Sequence, residues 1–89
     1  MITIEITPDW ILSSLAVLLN MDDDGNVGVE TNNLSDAKWL VLALNTLSIN
    51  YEEYGYLDIG VEYFGFEFKL DDVKEACPSF YYLVKSKNV

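Results

Sequence analysis

Residues 49–70 read INYEEYGYLDIGVEYFGFEFKL, and this stretch decides the fold. It consists largely of aromatic and β-branched residues, the types that are enriched in strands. Gly55, Gly60 and Gly65 divide it into short segments. The pattern predicts two or three strands joined by turns.

The last of these strands has two different faces. Its apolar face consists of Phe64, Phe66, Phe68 and Leu70, and its polar face of Gly65, Glu67 and Lys69. This period of two is typical of a strand with one buried face. Upstream, Leu57, Ile59 and Val61 have the opposite parity, which predicts a bulge or a tight turn between Val61 and Phe64.

The N-terminal residues predict a strand followed by a helix. Isoleucines alternate with polar residues over residues 2–6, as in a half-buried strand. Thr7 can cap a helix and Pro8 suits its first position, so we expect a helix from Pro8 to about Asn20. Apolar residues fill more of residues 10–19 than a single core-facing stripe requires.

A turn and a second helix follow. The dipeptide Asp24-Gly25 predicts a hairpin turn that leads into a short strand over residues 27–31. Asn33 and Asp36 have the spacing of a capping box, which predicts a helix from Leu34 to about Leu47. Its apolar stripe is Ala37, Leu40, Val41, Leu44 and Leu47, and Trp39, Leu42 and Ala43 widen it.

The C-terminal residues predict one more helix. Asp71 or Asp72 can cap it, and Pro78 should interrupt it and begin a further turn. We therefore expect one α+β domain over residues 1–89. It would have a mostly antiparallel sheet of three to five strands, two main helices and a short C-terminal helix.

The charge of the chain limits its partners. Fifteen carboxylates and five lysines give a net charge of −10, and the chain has no histidine and no arginine. This charge repels nucleic acid and anionic membranes, so we expect a basic protein surface as the partner. Without imidazole the usual general base is missing, so we expect a protein that is not an enzyme, with no catalytic residues, cofactor or metal.

The single cysteine indicates a reducing compartment. Cys77 cannot form a disulfide within the chain, and no stretch of apolar residues is long enough to span a bilayer. We therefore expect a cytoplasmic protein. A thiol at a helix start can be reactive, but a small buried side chain is the interpretation that we favour for Cys77.

Tyrosines and acids together form a candidate partner-binding surface. Its residues are Glu52, Glu53, Tyr54, Tyr56, Asp58, Glu62 and Tyr63. Exposed tyrosine is a frequent interface anchor, and acids on one face of a strand lie about 6 to 7 Å apart, like a row of phosphates. Packing at the rim of the core and simple solubility explain the same residues equally well.

A second acidic group lies in the predicted hairpin. The candidates are Asp22, Asp23, Asp24 and Glu30. Counted from Asn20, the segment partly matches a calcium-binding EF-hand loop, but Thr31 occupies the position of the bidentate glutamate. We therefore favour a solvated turn over a cation site.

Two hypotheses about function remain, and a third is less favoured. The first is an inhibitor or adaptor that docks on a basic, often nucleic-acid-binding, surface of a partner. Small phage-encoded inhibitors of bacterial defence, immunity proteins and nucleic-acid mimics share this profile, by analogy of class and without a shared motif. The second is a structural or assembly protein whose broad apolar helices pair in a homodimer. The third is a Ca²⁺-binding protein built on carboxylates.

Overall fold

The computed structural model describes residues 6–87. In chain order the elements are α1 (Pro8–Ser14), β1 (Leu18–Met21), β2 (Asn26–Thr31), α2 (Leu34–Thr46), β3 (Glu52–Asp58), β4 (Val61–Lys69), a 3-10 helix (Leu70–Val73) and α3 (Pro78–Lys87). The four strands form one antiparallel sheet in the order β1-β2-β4-β3. The predicted α+β class with an antiparallel sheet is confirmed.

The helices cover one face of the sheet. On that face Val29 pairs with Phe66, and both side chains are buried against the helices. The core lies between these two layers and consists of Ile11, Leu12, Val27, Val29, Ala37, Leu40, Ala43, Leu44, Phe66, Phe68, Leu70, Val73, Cys77, Phe80 and Val84. Because side chains alternate along a strand, the residues between these core positions point to the opposite side, which we call the open face.

The predicted helix over residues 8–20 is wrong beyond Ser14. Leu18–Met21 forms β1 instead and pairs with β2 across the predicted turn, where Gly25 has a φ of 83°. The surplus of apolar residues in this segment is therefore shared between a short helix and a strand. Of the predicted first strand, residues 2–5 lie outside the described residues, and Ile6 is exposed and belongs to no helix or strand.

Both predicted N-caps are confirmed. The Thr7 hydroxyl accepts a hydrogen bond from the backbone N–H of Trp10 at 3.1 Å, at the start of α1. The Asn33 side chain accepts one from the N–H of Asp36 at 3.0 Å, at the start of α2. These bonds satisfy N–H groups that have no partner inside a helix.

The prediction that Asp71 or Asp72 caps the last helix is wrong. Both lie in the 3-10 helix, and α3 begins at Pro78. The α3 cap comes from α1: the Asp9 carboxylate accepts from the N–H groups of Ser79 at 3.2 Å and Phe80 at 2.8 Å. Negative charge at a helix N-terminus is also favourable to the helix dipole, so this contact ties the first helix to the last.

Of the two alternatives predicted near Val61 to Phe64, a bulge or a tight turn, the structure has the tight turn. The pairing of β3 with β4 is continuous from Glu52 opposite Glu67 to Asp58 opposite Val61. The chain reverses in a two-residue turn at Ile59 and Gly60, which accounts for the change of parity.

Within residues 6–87, no helix has the length and apolar character needed to cross a membrane.

Candidate functional site

The open face contains a buried acid that is held by neutral donors. Glu30 on β2 is only 3% exposed. Its Oε2 accepts hydrogen bonds from the Tyr54 hydroxyl at 2.6 Å and from the Asn20 side-chain amide at 3.1 Å, and its Oε1 accepts from the Tyr56 hydroxyl. A buried carboxyl needs such partners, because leaving it without them is costly. Three strands therefore contribute to one polar cluster, on a face of the sheet that no helix of residues 6–87 covers.

Tyr54 reaches Glu30 by lying flat across two glycines. A Cβ built on Gly65 would overlap the ring of Tyr54, and one on Gly28 would lie 2.7 Å from its hydroxyl oxygen. Gly65 is the residue of β4 directly opposite both Tyr54 and Glu30. Only glycine leaves room there, so the two glycines form the seat of the ring.

Tyr56 is held on the same face by a second ring. It stacks on Tyr63, its neighbour across the β3–β4 hairpin, with ring centroids 5.1 Å apart and an interplanar angle of 18°. Offset stacking of this kind adds to the area that the rings bury. We call Glu30, Tyr54, Tyr56 and Tyr63 the tyrosine platform.

The tyrosine hydroxyls of this platform hold their protons tightly. Burial, followed by the hydrogen bond to Glu30, raises the pKa of Tyr54 well above its usual value. The hydrogen bond to Glu30, followed by burial, raises the pKa of Tyr56 to about 12. Both effects disfavour a tyrosinate beside another negative group, so the two side chains stay neutral donors at ordinary pH.

Exposed acids surround the tyrosine platform. Glu52 and Asp58 lie at the two ends of β3, and Glu67 lies on β4 directly opposite Glu52. Like charges at opposite positions of an antiparallel pair are destabilising. The open face therefore combines half-exposed tyrosine rings with a border of negative charge.

The structure divides the predicted partner-binding residues between two sides of the hairpin. Glu52, Tyr54, Tyr56, Asp58 and Tyr63 lie on the open face, whereas Glu53 and Glu62 have the parity of the core residues Phe66 and Phe64. All seven residues of β3 are exposed to a large extent, so Glu53 and Glu62 border the other side of the same hairpin.

Of the four residues of the predicted acidic loop, three lie in the turn and one lies elsewhere. Glu30 belongs to the tyrosine platform, while Asp22, Asp23 and Asp24 lie in the β1–β2 turn. Asp22 accepts hydrogen bonds from the N–H groups of Asp24 and Asn26 and from the Asn26 amide, and the bonds to Asn26 in particular lower its pKa. Its oxygens thus shape the turn. Among the described residues, no group of three or more His, Cys, Asp or Glu is placed to hold a metal ion.

Two of the five lysines, Lys74 and Lys85, lie outside the acidic hairpin on the side of α3. The ammonium groups of Lys74 and Lys85 lie 5.3 and 5.5 Å from the centre of the Tyr81 ring on α3. Helix α3 contacts β1, which is the edge of the sheet opposite to β3. Residues 52–69, in contrast, contain five carboxylates and one lysine. The hairpin of β3 and β4 is therefore one acidic region of the molecule, and Lys69 is the one lysine within it.

The tip of the hairpin is apolar and exposed. Leu57 is 74% exposed and Ile59 is 96% exposed. Ile59 also has a φ of 51°, a left-handed conformation that β-branched residues rarely adopt. The side chain of Ile59 therefore contributes little to packing, and its backbone conformation costs stability.

Cys77 has the properties of a core residue. Its side chain is fully buried, and burial, followed by the charge of Asp9, raises the pKa of the thiol to about 11. A thiol that resists ionisation is a poor nucleophile, in agreement with the buried interpretation that we favoured.

Sequence reasoning missed the roles of Asn20, Gly28 and Gly65 in this site. It also assigned Glu30 to the acidic loop instead of to the tyrosine platform. One signal was present: a glycine inside a strand often marks the close approach of another group. Gly28 and Gly65 are such glycines, and the sequence pattern assigns Gly65 to the polar face of its strand without predicting a ring above it. The pairing that brings them under one tyrosine depends on strand order, which local patterns do not reveal.

Comparisons with protein-family models, curated proteins and solved structures find no match for this chain.

Proposed function

We propose that the protein is a binding module that docks on a basic surface of a partner protein through the β3–β4 hairpin and the open face. The single observation that carries this proposal is the tyrosine platform bordered by Glu52, Asp58 and Glu67. An inhibitor or adaptor of a nucleic-acid-binding protein is the role that fits such a surface best, because its partner offers the complementary charge.

The electrostatic part of the proposal rests on the net charge of the chain and on the acids of the β3–β4 hairpin. The net charge of −10 steers a positive partner towards the molecule, and the excess of acids in residues 52–69 orients it towards the hairpin. Complementary charge mainly increases the rate of association. The affinity of the complex then depends on the tyrosine platform that these acids surround.

The tyrosine platform provides the second part. Tyr54 and Tyr56 are each more than a third exposed, yet their hydroxyls are fixed by Glu30 and their rings by glycine or by Tyr63. Rings that are already ordered lose little conformational freedom on binding, and tyrosine is enriched among the residues that dominate interface energies.

Binding rather than catalysis is the role that we propose. The chain has no histidine, Cys77 is buried, and the tyrosine hydroxyls are held as neutral donors to Glu30. The lone cysteine favours the cytoplasm as the compartment in which the module acts.

Charge-reversal variants test this proposal. The tagged protein is used to capture partners from a lysate of its source cells at low and high salt, in three forms. These are the original sequence, the double variant Glu52→Lys with Asp58→Lys, and the control Asp23→Lys with Asp24→Lys. Both variants change the net charge equally, but only the first alters the open face.

We expect a partner that is lost at high salt and with the open-face variant, and retained by the turn variant. Screening by salt explains the first loss, and the removed complementarity explains the second. Equal capture by all three forms would contradict docking through the open face. Capture that does not depend on salt would contradict an electrostatic mode of binding.

A homodimer through α2 is the second candidate function, and exposed apolar residues favour it. Leu34 is 56%, Trp39 43% and Leu42 52% exposed on this helix. Covering such residues is a common reason for self-association. Sedimentation at micromolar concentration tests it: a dimer that Trp39→Lys dissociates would support this candidate, and a monomer would exclude it.

A further inference from the structure

Strand β3 forms an open edge of the sheet. Among the strands of residues 6–87, whose order is β1-β2-β4-β3, it pairs only with β4, and all seven of its residues are exposed. Every second residue of an edge strand directs its N–H and C=O groups away from the sheet, where they are free to pair with another strand. Such an edge is the template on which strand addition builds.

Of the usual protections of an edge, β3 has charged side chains and lacks the others. Its sequence, EEYGYLD, contains no proline and no lysine, its length exceeds that of a blunted edge strand, and its pairing with β4 shows no bulge. What it does carry is negative charge, at Glu52, Glu53 and Asp58. Acids repel another acidic strand, but they attract a basic one.

A groove lies beside this edge on the helix side of the sheet. It has a volume of about 310 Å³, with Leu34, Ala37 and Val41 of α2 on one side and Phe64 and Phe66 on the other. Lys38 of α2 and Glu53 of β3 also line it. A strand that pairs with β3 would point alternate side chains to this side of the sheet, so apolar side chains there would find an apolar lining.

We infer that β3 accepts an extended, basic segment of the partner protein as a fifth strand. Its apolar side chains would enter the groove beside α2, and its alternating lysines or arginines would face Glu52 and Asp58 on the open face. This inference rests on the proposed function, because it specifies how the basic partner is held.

Charge selects a basic segment over a second copy of the chain. A symmetric antiparallel pairing of two β3 strands centred on Gly55 would place Glu52 of one copy opposite Asp58 of the other. Two molecules that each carry a net charge of −10 would also repel one another as wholes. The acids of β3 therefore act against self-pairing while leaving the edge open to a positive strand.

The experiment uses short synthetic peptides as probes and the full chain as the receptor. The first peptide alternates lysine with valine. The second has the same composition, with its lysines and valines in two blocks. Two further copies of the first peptide carry N-methyl groups on one or the other set of alternate residues, because N-methylation removes the N–H donors along one edge of a strand only.

We expect the alternating peptide to bind about tenfold more tightly than the block peptide, since only it can place valines and lysines on opposite faces. One of the two N-methylated peptides should lose this advantage and the other should keep it. Amide hydrogen exchange should slow at alternate residues of β3, and nuclear Overhauser contacts should connect β3 to the peptide.

Three outcomes would overturn strand addition. The alternating and block peptides could bind equally, the peptide could bind without protecting β3 amides, or β3 amides could become protected with rising protein concentration in the absence of peptide. The first two would leave docking on the open face intact, and the third would identify a second copy as the occupant. The charge-reversal capture experiment judges the proposed function separately.

Discussion

Glu52 on β3 lies directly opposite Glu67 on β4, on the open face of the sheet. Opposite charges at such a pair of positions stabilise an antiparallel sheet by about 0.2 to 1 kcal/mol, whereas like charges destabilise it. The pair thus lowers stability at the border of the tyrosine platform. This is the cost that we expect of a surface kept negative for a positive partner.

We expect Glu52→Lys to raise the free energy of unfolding by about 0.5 kcal/mol, because the new ammonium group would face Glu67. Urea denaturation measures the change. Glu75→Lys is the matched control: Glu75 is exposed in the turn before α3, and the substitution changes the net charge equally. Equal gains for both variants would show general relief of repulsion and contradict a specific cross-strand effect.

Gly65→Ala should destabilise the protein by about 2 kcal/mol, because its new Cβ would overlap the ring of Tyr54. In an ordinary strand the same change is neutral or favourable, since alanine restricts the unfolded chain. A double-mutant cycle with Tyr54→Ala separates the two effects. The cost of Gly65→Ala should vanish in the Tyr54→Ala background. Additive costs would contradict the close contact between Gly65 and the Tyr54 ring.

Local sequence signals predicted much of the fold. The alternation around Phe66 predicted β4 and its buried face, and Thr7 and Asn33 marked the starts of two helices, because each feature depends on neighbours along the chain. The end of α1 at Ser14 was missed for the complementary reason. Leu18–Met21 is a strand because β2 pairs with it, and an apolar run alone does not distinguish the two structures.

The candidate site was predicted in part. Composition placed Tyr54, Tyr56 and their acidic neighbours on one hairpin, and the structure brings most of them to one face. The role of Glu30 was missed because its partners Tyr54 and Tyr56 are 24 and 26 residues away. Such a contact follows from the order of β2, β4 and β3 in the sheet, which no local pattern encodes.

Removing the Glu30 carboxyl should expose how much the polar cluster contributes. Glu30→Leu leaves the hydroxyls of Tyr54 and Tyr56 and the Asn20 amide without their acceptor. Because these donors are only partly buried, we expect a cost of about 1 kcal/mol, the low end of the range for unsatisfied groups. Glu30→Gln keeps one acceptor oxygen and should lose less. Urea denaturation of both variants measures the difference. A leucine variant as stable as the glutamine variant would contradict a structural role for these hydrogen bonds.

Alkaline pH should destabilise the protein through its tyrosines. The pKa of Tyr54 and of Tyr56 is raised in the folded state, to about 12 for Tyr56, above the ordinary value of 10.0. The folded chain then keeps protons that the unfolded chain has lost, so this stabilisation is complete below pH 10 and declines as pH rises towards the folded pKa values.

Tyrosinate absorbance at 295 nm and unfolding midpoints between pH 8 and pH 12 measure this effect together. Tyr56→Phe should reduce the loss of stability in that window, whereas Tyr82→Phe, at a tyrosine that is 70% exposed, should not. Equal slopes of stability against pH in the two variants would contradict the coupling of Tyr56 to Glu30.

Ile59→Asn should stabilise the protein by about 1 kcal/mol, although isoleucine is the more apolar residue. Ile59 and Gly60 both have positive φ, the conformation that two-residue hairpin turns fill best with Asn-Gly, and at 96% exposure the isoleucine side chain contributes almost no packing that asparagine could lose. Urea denaturation checks the gain, with Leu57→Asn as the control at a regular strand position of the same hairpin.

If the tip contacts the partner, the stabilised Ile59→Asn variant should also capture less of it, because the substitution removes an apolar side chain from the contact. An Ile59→Asn variant that is no more stable than the original chain would remove the strain on which this reasoning depends.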